Sequence, residues 1–352
     1  MAIDENKLNE LVGKVVGDVG AALSSIGVVI GDRLGLWKKL AAQGPLTPQQ
    51  LAQSSETSER YVREWLNAQA AAGYLQYDPA TQRFALSPEQ AAAFADESSP
   101  AFMAGAFEIA AACWAATDQT TQHFRTGEGL AWGNQHPCLF QGTERFFRSA
   151  YIGNLVDSWL PALKGVVPKL EKGATVADVG CGVGASTILM AKAFPHSKFY
   201  GFDSHAESIA LANRRAQANG VGERVTFQAA NALDYPGRNY DLVTYFDCLH
   251  DMENPLGAAR HTRETLAQDG TWMIVEPISS DRPEDNHTPV GRVYYSASTM
   301  LCVPHSLAFG GPALGAQAGM QRLREVIEGG GFKQLRRAID TPFNMVLEAR
   351  PN

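Results

Sequence analysis

The sequence predicts an α/β protein. A mostly helical N-terminal domain, residues 1–165, precedes a largely parallel sheet in residues 166–352 that closes in an antiparallel hairpin. Three observations carry this expectation. Near residue 170 the composition changes from Ala- and Gln-rich helical tracts to short β-branched runs alternating with helical stretches, the pattern of βαβ units. Residues 46–87 follow the plan helix, turn, helix, β-hairpin, which is that of a winged helix. The last two apolar runs, KQLRRAI and FNMVLEA, are joined tightly through Thr341-Pro342, so they pair antiparallel at one edge.

In chain order, a helical stretch covers about Leu8–Ile30, and DRLGLWKKLAAQG follows it. Thr47 is placed to cap a short helix with Pro48 at its first position. Thr57 or Ser58 caps the next, in which Tyr61, Trp65, Leu66 and Ala70 recur at helical spacing. That helix leaves through Gly73 into a strand, DPAT turns the chain, and QRFALS returns. Residues 88–165 read as further helices with a loop at 125–137. The second domain reads as strand 175–179, helix 185–194, strand 198–203, helix 205–219 and strand 224–229. Strand 240–246, helix 255–267 and strand 271–276 follow, then a long irregular stretch, helix 319–328 and the closing pair.

The chain has 352 residues, 45% hydrophobic and 19% charged, with a net charge of −7. That size allows two cores, and the charge argues against a nucleic-acid binder. Five scattered cysteines show no zinc or redox spacing. The start, MAIDENKLNE, is acidic where a signal peptide is basic. The apolar run 19–30 is too short and glycine-rich to span a bilayer. A reduced, cytoplasmic protein with no membrane partner is expected.

VADVGCGVGASTILMAKAF, residues 176–194, runs from a strand through Gly180, Gly182 and Gly184 into a helix. Bare backbone there approaches a ligand closely. Gly180-x-Gly182-x-x-Ala185 also fits the dinucleotide fingerprint, but Asp178 ends the strand where a dinucleotide strand is apolar. A carboxylate there repels a pyrophosphate, and would instead organise the loop or attract an ammonium group. Asp178–Gly184 resembles the first motif of class I S-adenosylmethionine-dependent methyltransferases, Asp/Glu-x-Gly-x-Gly-x-Gly. The resemblance implies a Rossmann-like, seven-stranded methyltransferase sheet and S-adenosylmethionine as cofactor. Asp203 ends the second strand, where it can accept from both ribose hydroxyls, the logic also used for NAD. Asn231, where the family usually has Asp, and the backbone of Ala232 are implied to meet the adenine. Asp247, at the end of the fourth strand, completes the cofactor-binding set.

The segment YFDCLHDMENP, 245–255, is similar to the His-Asp-Trp segment of winged-helix small-molecule O-methyltransferases of the plant and bacterial type. By that resemblance His250 is the general base, beside Asp251. Glu276, ending strand five, orients the imidazole. A phenol of pKa about 10 is ionised only about one part in a thousand at pH 7, so a base is needed for a hydroxyl acceptor. Two departures stand out: Met252 replaces the Trp, and no acid lies at 318–320, where the family has a second carboxylate. Residues 278–319 are expected to cover the site and line the acceptor pocket, with His305 a second candidate base. Asp247, Asp251 and Glu276 could cluster, but no metal is expected.

A winged helix also suggests a DNA reader. Between 45 and 90, however, Arg60, Arg63 and Arg83 face Glu56, Glu59, Glu64, Asp78 and Glu89, a local net of −2 (3 − 5), which suits phosphate poorly. In the family resembled, this domain builds a homodimer and closes the acceptor pocket. The expectation is methyl transfer to a small-molecule acceptor, O-methylation favoured. The alternatives are a winged-helix regulator that senses S-adenosylmethionine and an NAD(P)-dependent oxidoreductase.

Overall fold

Asp4 starts the first helix, α1 (Glu5–Arg33), its carboxylate accepting from the backbone of Asn6 and Lys7. In this computed structural model, which describes residues 3–352, α1 runs well beyond the apolar stretch 19–30. By length and composition alone it is long and apolar enough to cross a membrane, which corrects the argument from a short run. Helices α2 (Leu36–Gln43), α3 (Pro48–Ser55) and α4 (Glu59–Ala71) follow, then strands β1 (Gln76–Asp78) and β2 (Arg83–Ala85) and helix α5 (Pro88–Phe94). Helices α6 (Ala104–Ala115), α7 (Thr117–Thr126) and α8 (Cys138–Asn154) come next; a π-helical turn, Leu155–Trp159, leads to α9 (Leu160–Ala162) and α10 (Val166–Lys172). The chain forms two compact units. One comprises the described residues up to Ala111 with Pro137–Ser149, the other Ala112–His136 with Ala150–Asn352.

The first unit is a winged helix. Thr47 and Gln50 form a reciprocal capping box around Pro48, as those residues predict. Ser58 takes the cap position of α4, and Trp65 and Leu66 are buried while Tyr61 is 81% exposed. Val62 fills the inward position instead, so Tyr61 does not share the buried face of Trp65 and Leu66. Trp37 stacks on Phe94 at 4.9 Å and meets Trp65 edge-on at 4.7 Å. The last turns of α1 join this core: Trp65 Nε1 donates to the carbonyl of Gly27 and Trp37 Nε1 to that of Val28. The N-terminal two-thirds of α1 exposes Leu8, Leu11, Val12, Val15, Val16 and Val19.

In the second unit β3 (Thr175–Val179), β4 (Lys198–Asp203), β5 (Val225–Ala229), β6 (Tyr240–Phe246) and β7 (Leu266–Pro277) run parallel. Helices α11 (Ala185–Ala193), α12 (Ala206–Ala218) and α13 (Pro255–Thr265) alternate with them. The stretch expected to be irregular instead holds α14 (Pro289–Met300) and α15 (Cys302–Ala308) before α16 (Gly319–Gly329). Thr288 caps α14, with Pro289 at its first position, a helix start signal present in the sequence. Strands β8 (Gln334–Asp340) and β9 (Asn344–Arg350) close the sheet in the order β5-β4-β3-β6-β7-β9-β8. The closing pair is antiparallel, as expected, with β9 also antiparallel to β7. After β5 the chain returns to the other side of β3, so strand order reverses between β3 and β6. The carboxyl ends of strands at such a reversal form a ligand crevice.

Candidate active site

The β3 end is a closed local structure. Asp178 is fully buried; its Oδ2 accepts from Ser186 and Thr187 hydroxyls, both at 2.6 Å, and its Oδ1 from Thr244 at 3.0 Å. Burial pushes its carboxyl up to about 6, the hydroxyls opposing that shift. Of the two roles open to it, the geometry is that of a loop organiser: it ties β3 to the first turn of α11 and to β6. The backbone N–H groups of Gly180 and Cys181 both donate to the Phe202 carbonyl. Gly184 has φ +81°, and a Cβ there would lie 2.4 Å from the Phe227 ring. Gly182 has φ +52° and open space where its Cβ would be.

Asp203, at the end of β4, accepts from Gly182 N at 2.9 Å and His205 N at 2.8 Å. Burial raises its carboxyl, and those backbone donors oppose the shift. Beyond β5, Asn231 Oδ1 accepts from Leu233 N at 3.0 Å and its amide donates to Glu253 at 3.2 Å. Ala232, half-buried, packs on the sheet's core. These residues share the crevice side that the sequence assigned to a nucleoside.

The β6 and β7 ends differ. Asp247 stands at φ +50°, a left-handed conformation costly for a residue with a side chain. Its Oδ1 accepts from Asn344 Nδ2 at 2.7 Å, while its buried Oδ2 has no hydrogen-bond partner. Burial, reinforced by the charge of Glu276, raises its carboxyl well above the usual range. His250 is 3% exposed. Its Nδ1 lies 2.5 Å from Glu276 Oε2. An ionised carboxylate only accepts, so the ring proton sits on Nδ1. Glu276 Oε1 accepts from Leu249 N at 3.0 Å, which holds the carboxylate in place. Burial works against charge on His250, yet Glu276 and Cys302 together raise its pKa well above the ordinary value.

Two residues absent from the predicted set complete this cluster. Cys302, 52 residues beyond His250, places Sγ 3.3 Å from Nε2. Trp132, in the 125–137 loop, donates its indole N–H to Asp251 Oδ2 at 3.0 Å and its backbone N–H to His305 Nδ1 at 3.2 Å. Asn254 caps α13. His305 lies on Trp132, and burial lowers its pKa. The loop at 125–137 and the long stretch 278–319 are both marked in the sequence, but not that one residue of each meets at His250-Asp251. A cleft of about 320 Å³, lined by Tyr295, Ser298, Thr299, Val303 and Leu314 among others, opens within the segment after β7. Gly315, also in its lining, donates to the His250 carbonyl at 3.2 Å.

Residues 170–310 match the family described as "Methyltransferase domain", and residues 21–95 the family described as "Rv2258c-like winged HTH domain". The chain is 32% identical over 119 residues to trans-aconitate 2-methyltransferase of Streptomyces avermitilis, covering 33% of this chain and 44% of that protein. It is 27% identical over 113 residues to ajmaline N-methyltransferase of Rauvolfia serpentina, covering 32% and 38%. The matched stretch thus spans less than half the length of either relative. Among solved structures, mitomycin 7-O-methyltransferase superposes with TM-score 0.73 at 18% identity, covering 98% of this chain and 99% of that one. Human N-acetylserotonin methyltransferase in complex with S-adenosylmethionine gives 0.72 at 16% identity, with both chains fully covered. At these identities the likeness shows a shared fold.

Proposed function

The chain carries a methyltransferase domain of the class I, S-adenosylmethionine-dependent type behind a winged-helix domain, and from that premise we propose that it methylates a hydroxyl of a small-molecule acceptor, with His250 as general base. The observation that carries the proposal is the 2.5 Å contact between His250 Nδ1 and Glu276 at the ends of β6 and β7.

The residues fit the cofactor. Gly182 leaves open space beside the loop, Asp203 sits where ribose hydroxyls would bond, and Asn231 with Ala232 flanks the adenine position. The orphaned Oδ2 of Asp247 suits an ammonium group. When bound, S-adenosylmethionine supplies an electrophilic methyl group on a sulfonium. Glu276 keeps the proton on Nδ1, leaving Nε2 as the acceptor of a proton. A substrate hydroxyl would displace the Cys302 thiol from Nε2 and give up its proton there, which leaves its oxygen nucleophilic toward the methyl group that the cofactor would supply. Positioning of this kind and general-base help contribute about 10²–10⁴-fold for the proton step. The 280–322 cleft is assigned to the acceptor; its lining joins apolar and hydroxyl side chains to the amides of Asn286 and Gln317 and the charges of Asp281 and Arg322, which suits an aromatic or polyketide-like molecule that carries polar substituents.

The exposed apolar face of α1 is assigned to a second copy of the chain. Its last turns are already fixed in the winged-helix core, and the exposed residues recur every three or four positions, as a helix-pairing seam requires. The DNA-reading alternative is disfavoured by the basic residues of the motif: Arg60 pairs with Glu64, Arg63 with Glu59, and Arg83 bonds Pro45 and Gln50.

Calorimetry with S-adenosylmethionine, then turnover of His250→Ala on a panel of phenols, tests the enzyme. Saturable binding and loss of turnover with binding retained are expected. Saturation with NAD or NADP but not S-adenosylmethionine, or a sequence-specific gel shift without turnover, would overturn the reading.

A further inference from the structure

Cys302 adds a third kind of donor to a cluster that already holds an imidazole and a carboxylate. One ligand atom each from His250, Asp251 and Cys302 lies within 4.8 Å of the other two, and all three residues are buried. We propose that these side chains form a binding site for a borderline-soft divalent transition ion, of which Zn²⁺ is the representative, and that the bound ion silences His250 as a base.

The donor set selects the ion. Thiolate, imidazole and carboxylate together suit zinc; magnesium and calcium demand oxygen. Two ligands at about 2.0–2.1 Å and 2.3 Å on a tetrahedral ion stand roughly 3.6 Å apart. The Nε2–Sγ separation of 3.3 Å is already close to this. Three protein ligands leave one position open. The supporting shell is also in place. A metal-bound histidine donates its other ring N–H to a carboxylate, as His250 Nδ1 does to Glu276. The Asp251 carboxylate is held by the Trp132 indole. On binding, the Cys302 S–H proton leaves to solvent, and Sγ and Nε2 both bond the ion instead of sharing that proton.

The ion and the base function exclude each other, because each needs the Nε2 lone pair. Only this second statement rests on the proposed methyl transfer. The test is made on the full chain, stripped with a chelator and desalted, with zinc titrated against a chromophoric chelator. One equivalent should bind and excess Mg²⁺ should not compete. Affinity should fall at least 100-fold in Cys302→Ala and about tenfold in Glu276→Gln, an outer-shell effect. Cobalt should give a thiolate charge-transfer band in the wild type, a readout that needs no variant, and Cys302→Ala should lose it. Substoichiometric zinc, a missing thiolate band, or unchanged affinity in a folded Cys302→Ala protein would overturn the site. Turnover should fall on adding zinc and return with EDTA, and Cys302→Ala should resist that inhibition relative to its own rate. Stoichiometric zinc that leaves turnover untouched would overturn the exclusion, and the base assignment with it, while leaving the metal site standing.

Discussion

The two ends of the crevice solve the same problem, buried carboxylates, in opposite ways. At β3 and β4, Asp178 and Asp203 are bonded by hydroxyls and backbone N–H groups mostly from nearby chain: Ser186 and Thr187 lie 8 and 9 residues from Asp178 and Gly182 lies 21 from Asp203, with Thr244 of the neighbouring strand the one distant donor. At β6 and β7 the partners come from 26, 52, 97 and 119 residues away. One Asp247 oxygen is left without a partner. Unpaired buried polar atoms are uncommon in folded proteins and call for an explanation. The first end is complete as folded and needs only a ligand that fits. The second is assembled from distant segments and left unfinished, as expected where binding and chemistry occur.

Breaking the second end should have the largest effect. His250→Ala should lower kcat by about 10²–10⁴-fold, with the dissociation constant for S-adenosylmethionine nearly unchanged in calorimetry. Comparable losses in both would return His250 to a structural role. Glu276→Gln sharpens the point through pH. His250 has a folded pKa raised well above the ordinary value. The charged ring therefore stabilises the fold fully below about 6.5, its unfolded value, and that contribution fades as pH rises through the folded pKa. Turnover, which needs the neutral ring, rises over the same upper range. In Glu276→Gln the rise should move to lower pH, and the stability lost above about pH 6.5 should shrink. A rate profile that does not move would remove Glu276 from the dyad.

The same contrast governs what the sequence disclosed. The glycine loop, Asp178, Asp203 and the strands around them could be placed to within a residue or two because most of their partners are local, Thr244 excepted. His250 and Glu276 came from the resemblance to the His-Asp-Trp segment together with position at strand ends, and the structure joins them. Cys302, Trp132 and Asn344 could not be found, since no periodicity relates a residue to one 52 or 119 positions away. The segment after β7 went unread for a different reason. Its two helices are interrupted at Leu301, so no single repeat runs through the segment. Tyr61 failed because α4 turns Val62 inward and leaves the ring in solvent.

A smaller effect tests the finished end by pH. Asp178 ionises at about 6 in the fold against 3.8 when unperturbed. The folded state therefore holds its proton longer than the unfolded chain does. Its contribution is absent below about pH 4 and grows unfavourable as pH climbs to about 6, reaching on the order of 3 kcal/mol. Asp178→Asn should remove that slope. Urea melts between pH 4 and 7 should show the wild type losing stability relative to the variant. Parallel curves would mean that the three hydroxyls hold the ionised form without penalty.

A last pair of substitutions separates fold from ligand within one loop. Gly184→Ala places a methyl into the Phe227 ring, adding about 1–3 kcal/mol of overpacking to the roughly 1–2 kcal/mol of a left-handed residue. It should appear mainly in thermal unfolding. Gly182→Ala meets no protein atom, so only the backbone term applies and the melting point should fall less. Its methyl, however, projects into the space assigned to the nucleoside. A loss of about 1.4 kcal/mol there is tenfold in S-adenosylmethionine affinity. The two substitutions should thus rank in opposite order by stability and by cofactor binding. If Gly182→Ala binds as tightly as the wild type, the open side of the loop does not face the cofactor, and the finished end of the crevice is a structural corner and not half of the site.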